Sequence, residues 1–365
     1  MKKVALVLVL CFSILTASYA STKKFNEFYD LIEYEGTKVV INVEDFEYKD
    51  DEAVRLTEAE ILEMYNKGMT EIDINMPLLT LKIKTKELIY KGDIAIFSDY
   101  VDEFYGITIY SSKIGKITKF DSKVEAIIPY DIDHDTYYVT AYSVDNDGNI
   151  INLRGTMDEN NRTVSVLLDS IELPFIPVIN KVVYEDVHEN TAWAEEFIAD
   201  TSSKGLIAGK REGVYAPESY VTRAEFATLL LKALDLPLVD VNNNFSDVKA
   251  DQWYYKYVTS ADYYGLTAGV YETEFMPNAY ITREDMVIML AKALDSYTDL
   301  KIVDTGVGFT DEYEINDETI PYARKCLHAG LINGYHDGTF RPETFASRAE
   351  AAVIISKLFG IINVF

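Results

Sequence analysis

The C-terminal half of the chain writes one pattern three times. Gly209, Tyr215, Pro217 and Arg223 reappear as Gly269, Phe275, Pro277 and Arg283, then as Gly334, Phe340, Pro342 and Arg348. The step is 60 residues from Arg223 to Arg283 and 65 from Arg283 to Arg348. A unit of that length is one supersecondary element that cannot bury its apolar face alone, so the copies must stack and share a core. This half therefore reads as an assembly of like units. Such an assembly points to a binding module and away from a single catalytic cleft.

Each copy has helical grammar. It opens on an aromatic-x-Asp element, Tyr184-Glu-Asp186, Phe245-Ser-Asp247 or Phe309-Thr-Asp311. A first helix is expected over 193–204, 253–264 and 318–329. Gly205, Gly265 and Gly330 close these helices as left-handed C′ residues, with Leu206, Leu266 and Leu331 folding back on the helix. A second helix starts at Thr222-x-x-Glu225, Thr282-x-x-Asp285 and Ser347-x-x-Glu350, which are capping boxes or close variants. The bodies that follow, 226–234, 286–294 and 353–359, are apolar on nearly every face, as buried helices are. Three of them around one axis give an all-α pseudo-threefold bundle, with the first helices and the loops outside.

Residues 21–180 read differently. Period-two alternation at Val39/Ile41/Val43, Ile72/Ile74/Met76, Leu79/Leu81/Ile83, Ile94/Ile96 and Ile107/Ile109 predicts strands. Further strands are expected at 124–128, 137–144, 150–153 and 163–168, and one capped helix starts at Thr57-x-x-Glu60. Many short strands favour a β-sandwich with one helix. The run Asp145-Asn-Asp-Gly148-Asn149 lies between two strands and predicts a hairpin turn. A calcium loop there would need an acid at Ser143 and a glutamate at Arg154, so both ends fail. Asp131, Asp133 and Asp135, with His134 among them, read as a solvated loop.

The chain starts with Lys2 and Lys3, an apolar run over 4–15 and Ser18-Tyr19-Ala20. This predicts a secretory signal peptide over 1–20, too short to span a bilayer, and no membrane insertion after its cleavage. Beyond Cys11 only Cys326 remains, so the mature chain can form no internal disulfide. The formal net charge of −26 repels nucleic acid, and no basic stripe offsets it. His134, His188, His328 and His336 are scattered, without zinc-ligand spacing, and no Gly-x-Ser-x-Gly turn is present. No catalytic set, metal site or cofactor is predicted.

Arg223, Arg283 and Arg348 hold the first helical position, where a cation opposes the helix dipole. A helix N-terminus with free N–H groups and a guanidinium beside it is an anion receptor. Pairing with a nearby acid such as Glu218 or Glu343 is the alternative, and bundle building does not itself call for these arginines. Trp193 and Trp253 start first helices, either as packing anchors or as rings that stack on sugar faces. Asp186, Asp247 and Asp311 cap the first helix or form turns, or else bind sugar hydroxyls, and Gly209, Gly269 and Gly334 let the backbone come close to another helix or a sugar.

These motifs resemble S-layer homology domains, whose pattern is an aromatic-x-Asp opening, a Trp-led helix, a Gly-rich turn and Thr-Arg-Ala-Glu. Repeat 1 keeps Trp193, Gly205, Gly209, Gly213, Tyr215, Pro217 and Thr222-Arg-Ala-Glu225. Repeat 2 has Thr273 in place of the loop glycine, and repeat 3 has Glu318 at the Trp position. The resemblance implies repeats at 181–240, 241–303 and 304–365, whose grooves bind a pyruvylated secondary cell-wall polysaccharide through the arginines. It implies a secreted protein of the cell wall or S-layer, with other S-layer subunits as further partners. Val124-Glu-Ala-Ile-Ile-Pro-Tyr130 gives 21–180 a fainter likeness to β-domains that precede such repeats, with no activity attached. A wall-anchored enzyme or carbohydrate-binding protein with its activity in that domain is the alternative.

Overall fold

The computed structural model describes residues 32–43, 53–101, 103–130, 139–145, 147–158, 160–188, 190–267, 273–298 and 308–362. The expected signal peptide, the Asp131–Asp135 cluster and Gly269 lie outside the described residues. The chain divides into two compact units that part between Lys181 and Val182.

The described residues of the first unit form two seven-stranded sheets. One holds β1 (Ile32–Glu35), β2 (Lys38–Asn42), β4 (Glu71–Asn75), β5 (Thr80–Lys84), β9 (Lys119–Pro129), β12 (Thr156–Asp158) and β13 (Thr163–Ser170), in the order β1-β2-β4-β5-β9-β13-β12. The other holds β3 (Val54–Leu56), β6 (Ile94–Val101), β7 (Phe104–Ser111), β8 (Gly115–Ile117), β10 (Val139–Val144), β11 (Ile150–Asn152) and β14 (Phe175–Ile179). Its order is β11-β10-β14-β7-β6-β3, with β8 beside β7. Alternation puts Ile41, Ile72, Ile74 and Leu81 of one sheet in the same core as Ile96, Ile109, Ala141 and Phe175 of the other. The sandwich expected from the short strands is there. Thr57 and Glu60 form the predicted capping box on α1 (Glu58–Asn66), which sends Ile61 and Met64 into that core. At the 145–149 turn, Asp145 Oδ1 accepts the N–H of Asp147 and of Asn149, while Gly148 is left-handed.

The second unit carries α2 (Glu195–Ser203), α3 (Arg223–Ala233), α4 (Tyr255–Tyr263), α5 (Arg283–Tyr297), α6 (Ile320–His328) and α7 (Arg348–Ile362). Gly205, Gly265 and Gly330 have φ of 69°, 69° and 73°, and Leu206, Leu266 and Leu331 donate back to the carbonyls of Thr201, Ala261 and Cys326. Those are the predicted C′ caps. The second helices α3, α5 and α7 bury residues all round, including Phe226, Met286 and Ile355. Each first helix packs on a second helix of another copy: α2 on α7, α4 on α3 and α6 on α5. Around the axis the backbone closes a ring, since Ile281 N–H donates to Val221 O, Ala346 N–H to Ile281 O and Val221 N–H to Ala346 O. Tyr220, Tyr280 and Phe345 cap it, one ring from each copy, with centroids 5.3 to 5.6 Å apart.

Candidate functional site

The start of each second helix is locked into the next copy. A helix leaves its first N–H groups without internal partners. Here Arg223 and Ala224 donate theirs to Ala279 O and Pro277 O, Arg283 and Glu284 to Thr344 O and Pro342 O, and Arg348 and Ala349 to Ser219 O and Pro217 O. The third N–H in each case goes to Thr222, Thr282 or Ser347. This corrects the expectation of a helix terminus with free N–H groups for an anion. Carbonyls and hydroxyls of the protein already fill it.

The arginine side chains extend the same joint, so the bundle does use them. Arg223 Nε donates to Phe275 O at 2.8 Å, Arg283 Nε to Phe340 O at 2.9 Å and Arg348 Nε to Tyr215 O at 2.8 Å. Each guanidinium lies over the ring whose carbonyl it binds. Arg283 Nη2 also reaches Asn333 O, and Arg348 Nη2 reaches Ala208 O. The acid partners are not Glu218 or Glu343. Arg223 Nη1 meets Asp285 Oδ2 at 2.7 Å, and Arg283 Nη1 meets Glu350 Oε1 at 3.3 Å. Among the described residues Arg348 has no carboxylate partner.

A cavity of about 250 Å³ shows what these joints assemble. Its lining includes Arg283 of repeat 2, Asn333, Gly334, Glu350 and Lys357 of repeat 3, and Trp193 of repeat 1. One groove thus takes its arginine from one copy, its loop and helix from the next, and its tryptophan from the third. The helix pairs α2–α7, α4–α3 and α6–α5 carry this rule round the axis. Trp253 therefore belongs with Arg348, and Glu318 with Arg223. A repeat that keeps the whole motif does not own a groove, so the completeness of repeat 1 does not make one groove complete.

Trp193 and Trp253 are 56% and 59% exposed, so their rings are not core anchors. The aspartates are occupied. Asp186 accepts the N–H groups of Tyr215 and Ala216, Asp247 those of Phe275 and Met276, and Asp311 those of Phe340 and Arg341. Burial pushes the Asp186 carboxyl up, but the two N–H groups outweigh it and hold the group below the usual aspartate range. These carboxylates clamp Ala216, Met276 and Arg341 at φ of 59°, 57° and 56°, a region that non-glycine residues avoid. A Cβ on Gly209 would stand 2.6 Å from Tyr184 Cε1, and one on Gly334 would stand 3.3 Å from Phe309 Cδ1. The close approach at these two glycines is to the opening aromatic of their own repeat.

Sequence reasoning missed Lys232, Lys292 and Lys357. They stand at one place on the three second helices and recur with the period of the arginines, which is the signal that could have found them. Lys357 lines the cavity and donates to Gly330 O at 3.0 Å. Among the described residues, no helix is long and apolar enough to cross a membrane, and no cluster of metal-binding side chains occurs.

The fold defines a class: a triplet of helical repeats ringed about one axis, with grooves shared between copies. The three repeats are S-layer homology domains, the family whose model matches residues 183–227, 244–287 and 308–352. Among curated proteins, the chain is 34% identical over 175 residues to the exoglucanase XynX of Acetivibrio thermocellus, covering 48% of this chain and 16% of that one. It is 29% identical over 189 residues to the surface-layer 125 kDa protein of Lysinibacillus sphaericus, covering 50% and 15%. It is 30% identical over 163 residues to the cellulosome-anchoring protein of A. thermocellus, covering 42% and 35%. The matches thus span well under two thirds of these relatives, and the aligned parts are their S-layer homology regions.

Proposed function

We propose that the helical unit holds this protein on a bacterial cell wall by binding an anionic, pyruvylated secondary polysaccharide, and that the β-sandwich is the part displayed. The observation that carries this reading is the assembly of Trp193, Arg283 and Gly334, distant in sequence, on one cavity. A guanidinium and an ammonium suit a carboxylate, and a half-exposed indole suits the apolar face of a sugar. Similarity to a surface-layer protein and to a cellulosome-anchoring protein supports the same role. The role includes export, the location at the cell surface and any contact with other surface-layer subunits. The similarity to enzymes resides in the S-layer homology regions and adds no reaction to the sandwich.

The test is co-sedimentation of the purified mature chain with cell walls, before and after chemical removal of the secondary polymer. Retention should be lost with the polymer, and replacement of Arg223, Arg283 and Arg348 by Gln together should abolish it. Retention by stripped walls would sink the reading. Hydrolysis of wall or plant polysaccharides by the same protein would favour a wall-anchored enzyme.

A further inference from the structure

The three grooves differ in charge, and the difference comes from the protein's own carboxylates. Asp285 Oδ2 lies 2.7 Å from Arg223 Nη1, and Glu350 Oε1 lies 3.3 Å from Arg283 Nη1. Both arginines are about nine-tenths buried or more, so each pair is already a charge-assisted contact in a low-dielectric place. An incoming carboxylate must compete with it. Arg348 is as deeply placed, at 8% exposure, yet among the described residues its partners are two carbonyls, Tyr215 O and Ala208 O, and the Tyr215 ring. None of these cancels its charge.

The acid that could do so is Glu225, at the place of Asp285 and Glu350. Its Oε2 accepts the Thr222 N–H at 2.7 Å, which keeps it in the cap of its own helix. Asp285 is one methylene shorter and makes no such return bond, so its carboxylate is left for Arg223. Glu350 does both, with Oε2 on Ser347 N–H and Oε1 on Arg283. The lysines do not alter the comparison, because each second helix carries one. The aromatic position reinforces it: Trp253 belongs to the Arg348 groove and Trp193 to the Arg283 groove, while exposed Glu318 brings a further negative charge to the Arg223 groove.

We infer that the grooves are ranked. The groove of Arg348 and Trp253 is the primary site for the acidic sugar, the Arg283 groove is second, and the Arg223 groove is held closed to anions by Asp285 and Glu318. This rests on the anchoring reading above and adds which groove acts and why. It makes the native carboxylates internal competitors of the ligand.

Calorimetric titration of the full mature chain with a pyruvylated hexoside, and with the neutral parent hexoside, tests it. The wild type should bind the acidic glycoside alone. Arg348→Gln should lower its affinity roughly 10-fold or more, by the loss of a charge-assisted contact. Glu350→Gln and Asp285→Asn keep the caps but remove the competitor, and each should add an acidic-glycoside site or tighten binding roughly 3- to 10-fold. A gain of binding is a readout that a damaged fold does not give. Equal losses from Arg223→Gln, Arg283→Gln and Arg348→Gln, with no gain from the acid variants, would overturn the ranking while wall sedimentation persisted. No binding of the acidic glycoside at all would also overturn it, and sedimentation with intact walls would then decide separately whether the anchoring role falls too.

Discussion

Tyr215 and Arg348 hydrogen-bond each other twice, across 133 residues of sequence: the Tyr215 hydroxyl donates to Arg348 O at 3.0 Å, and Arg348 Nε donates to Tyr215 O at 2.8 Å. The pair joins the last repeat to the first and closes the ring. Phe275 and Phe340 hold the matching places and keep only the arginine-to-carbonyl half of the exchange. The closing joint of the bundle is therefore chemically distinct from the two that chain connectivity helps to hold. Burial drives the Tyr215 phenol pKa far up, so the hydroxyl remains a donor at any physiological pH.

Tyr215→Phe should cost about 1 kcal/mol, the usual net worth of a buried hydrogen bond whose acceptor keeps its helical partner. Denaturant unfolding of the helical unit would measure it. The phenylalanines of the other two joints show that the bare ring fits. A loss several times larger would mean that the hydroxyl organises the whole joint.

The aspartate clamps predict opposite effects for two neighbouring changes. Asp186→Ala strips acceptors from Tyr215 N–H and Ala216 N–H, and should destabilise the helical unit by about 2–4 kcal/mol. Ala216→Gly relieves a left-handed alanine at φ 59°, and should gain about 0.5–1 kcal/mol. The Asp186 pKa is lowered in the fold, so its stabilisation is present above the usual aspartate value and is lost as pH falls through the lowered one. Acid unfolding of Asp186→Ala should lack that component.

Trp253→Ala should weaken wall retention roughly 5- to 10-fold, as loss of an aromatic stacking contact does, and leave thermal unfolding nearly unchanged. The indole is 59% exposed, with Tyr254 and Tyr257 beside it. A large drop in melting temperature would return it to a packing role.

Local rules made most of the scaffold readable. The C′ glycines, the capping boxes at Thr57, Thr222 and Ser347 and the all-apolar second helices each follow from a few neighbouring residues and stand where their patterns put them, while at Thr282 only the cap half of the box forms. The sandwich strands with clean alternation were equally legible. Short β3 was not, because three residues give a period-two pattern too little length, and β14 was not, because its Phe-Ile-Pro-Val-Ile run does not alternate and holds Pro177. The grooves were legible only in parts. Repetition marked Arg223, Arg283 and Arg348, but the acids of Arg223 and Arg283 lie in the following copy, and the tryptophans of the Arg283 and Arg348 grooves in the one after. No spacing within a repeat encodes that, since the ring closure creates it. The role of Asp186 was open in the sequence because a turn and a sugar use the same carboxylate.

The sandwich carries its own pH signature at Asp73. Lys38 Nζ lies 2.6 Å from Glu71 Oε1 but 3.8 Å from Asp73 Oδ2, and Lys84 also takes Glu71, so the lysines serve one carboxylate first. Burial, and then the Glu71 charge, push Asp73 up to about 6. A raised native pKa means that the folded state holds the proton more tightly than the unfolded chain. The resulting stabilisation is complete below the unfolded value and is lost as pH rises through about 6. Asp73→Asn removes the ionisation and should leave stability near pH 4 unchanged. Toward pH 7 the variant should become more stable than wild type, by at most about 3 kcal/mol. Denaturant midpoints of the sandwich transition across that range decide it: a constant difference between the two proteins would show that Asp73 titrates alike folded and unfolded.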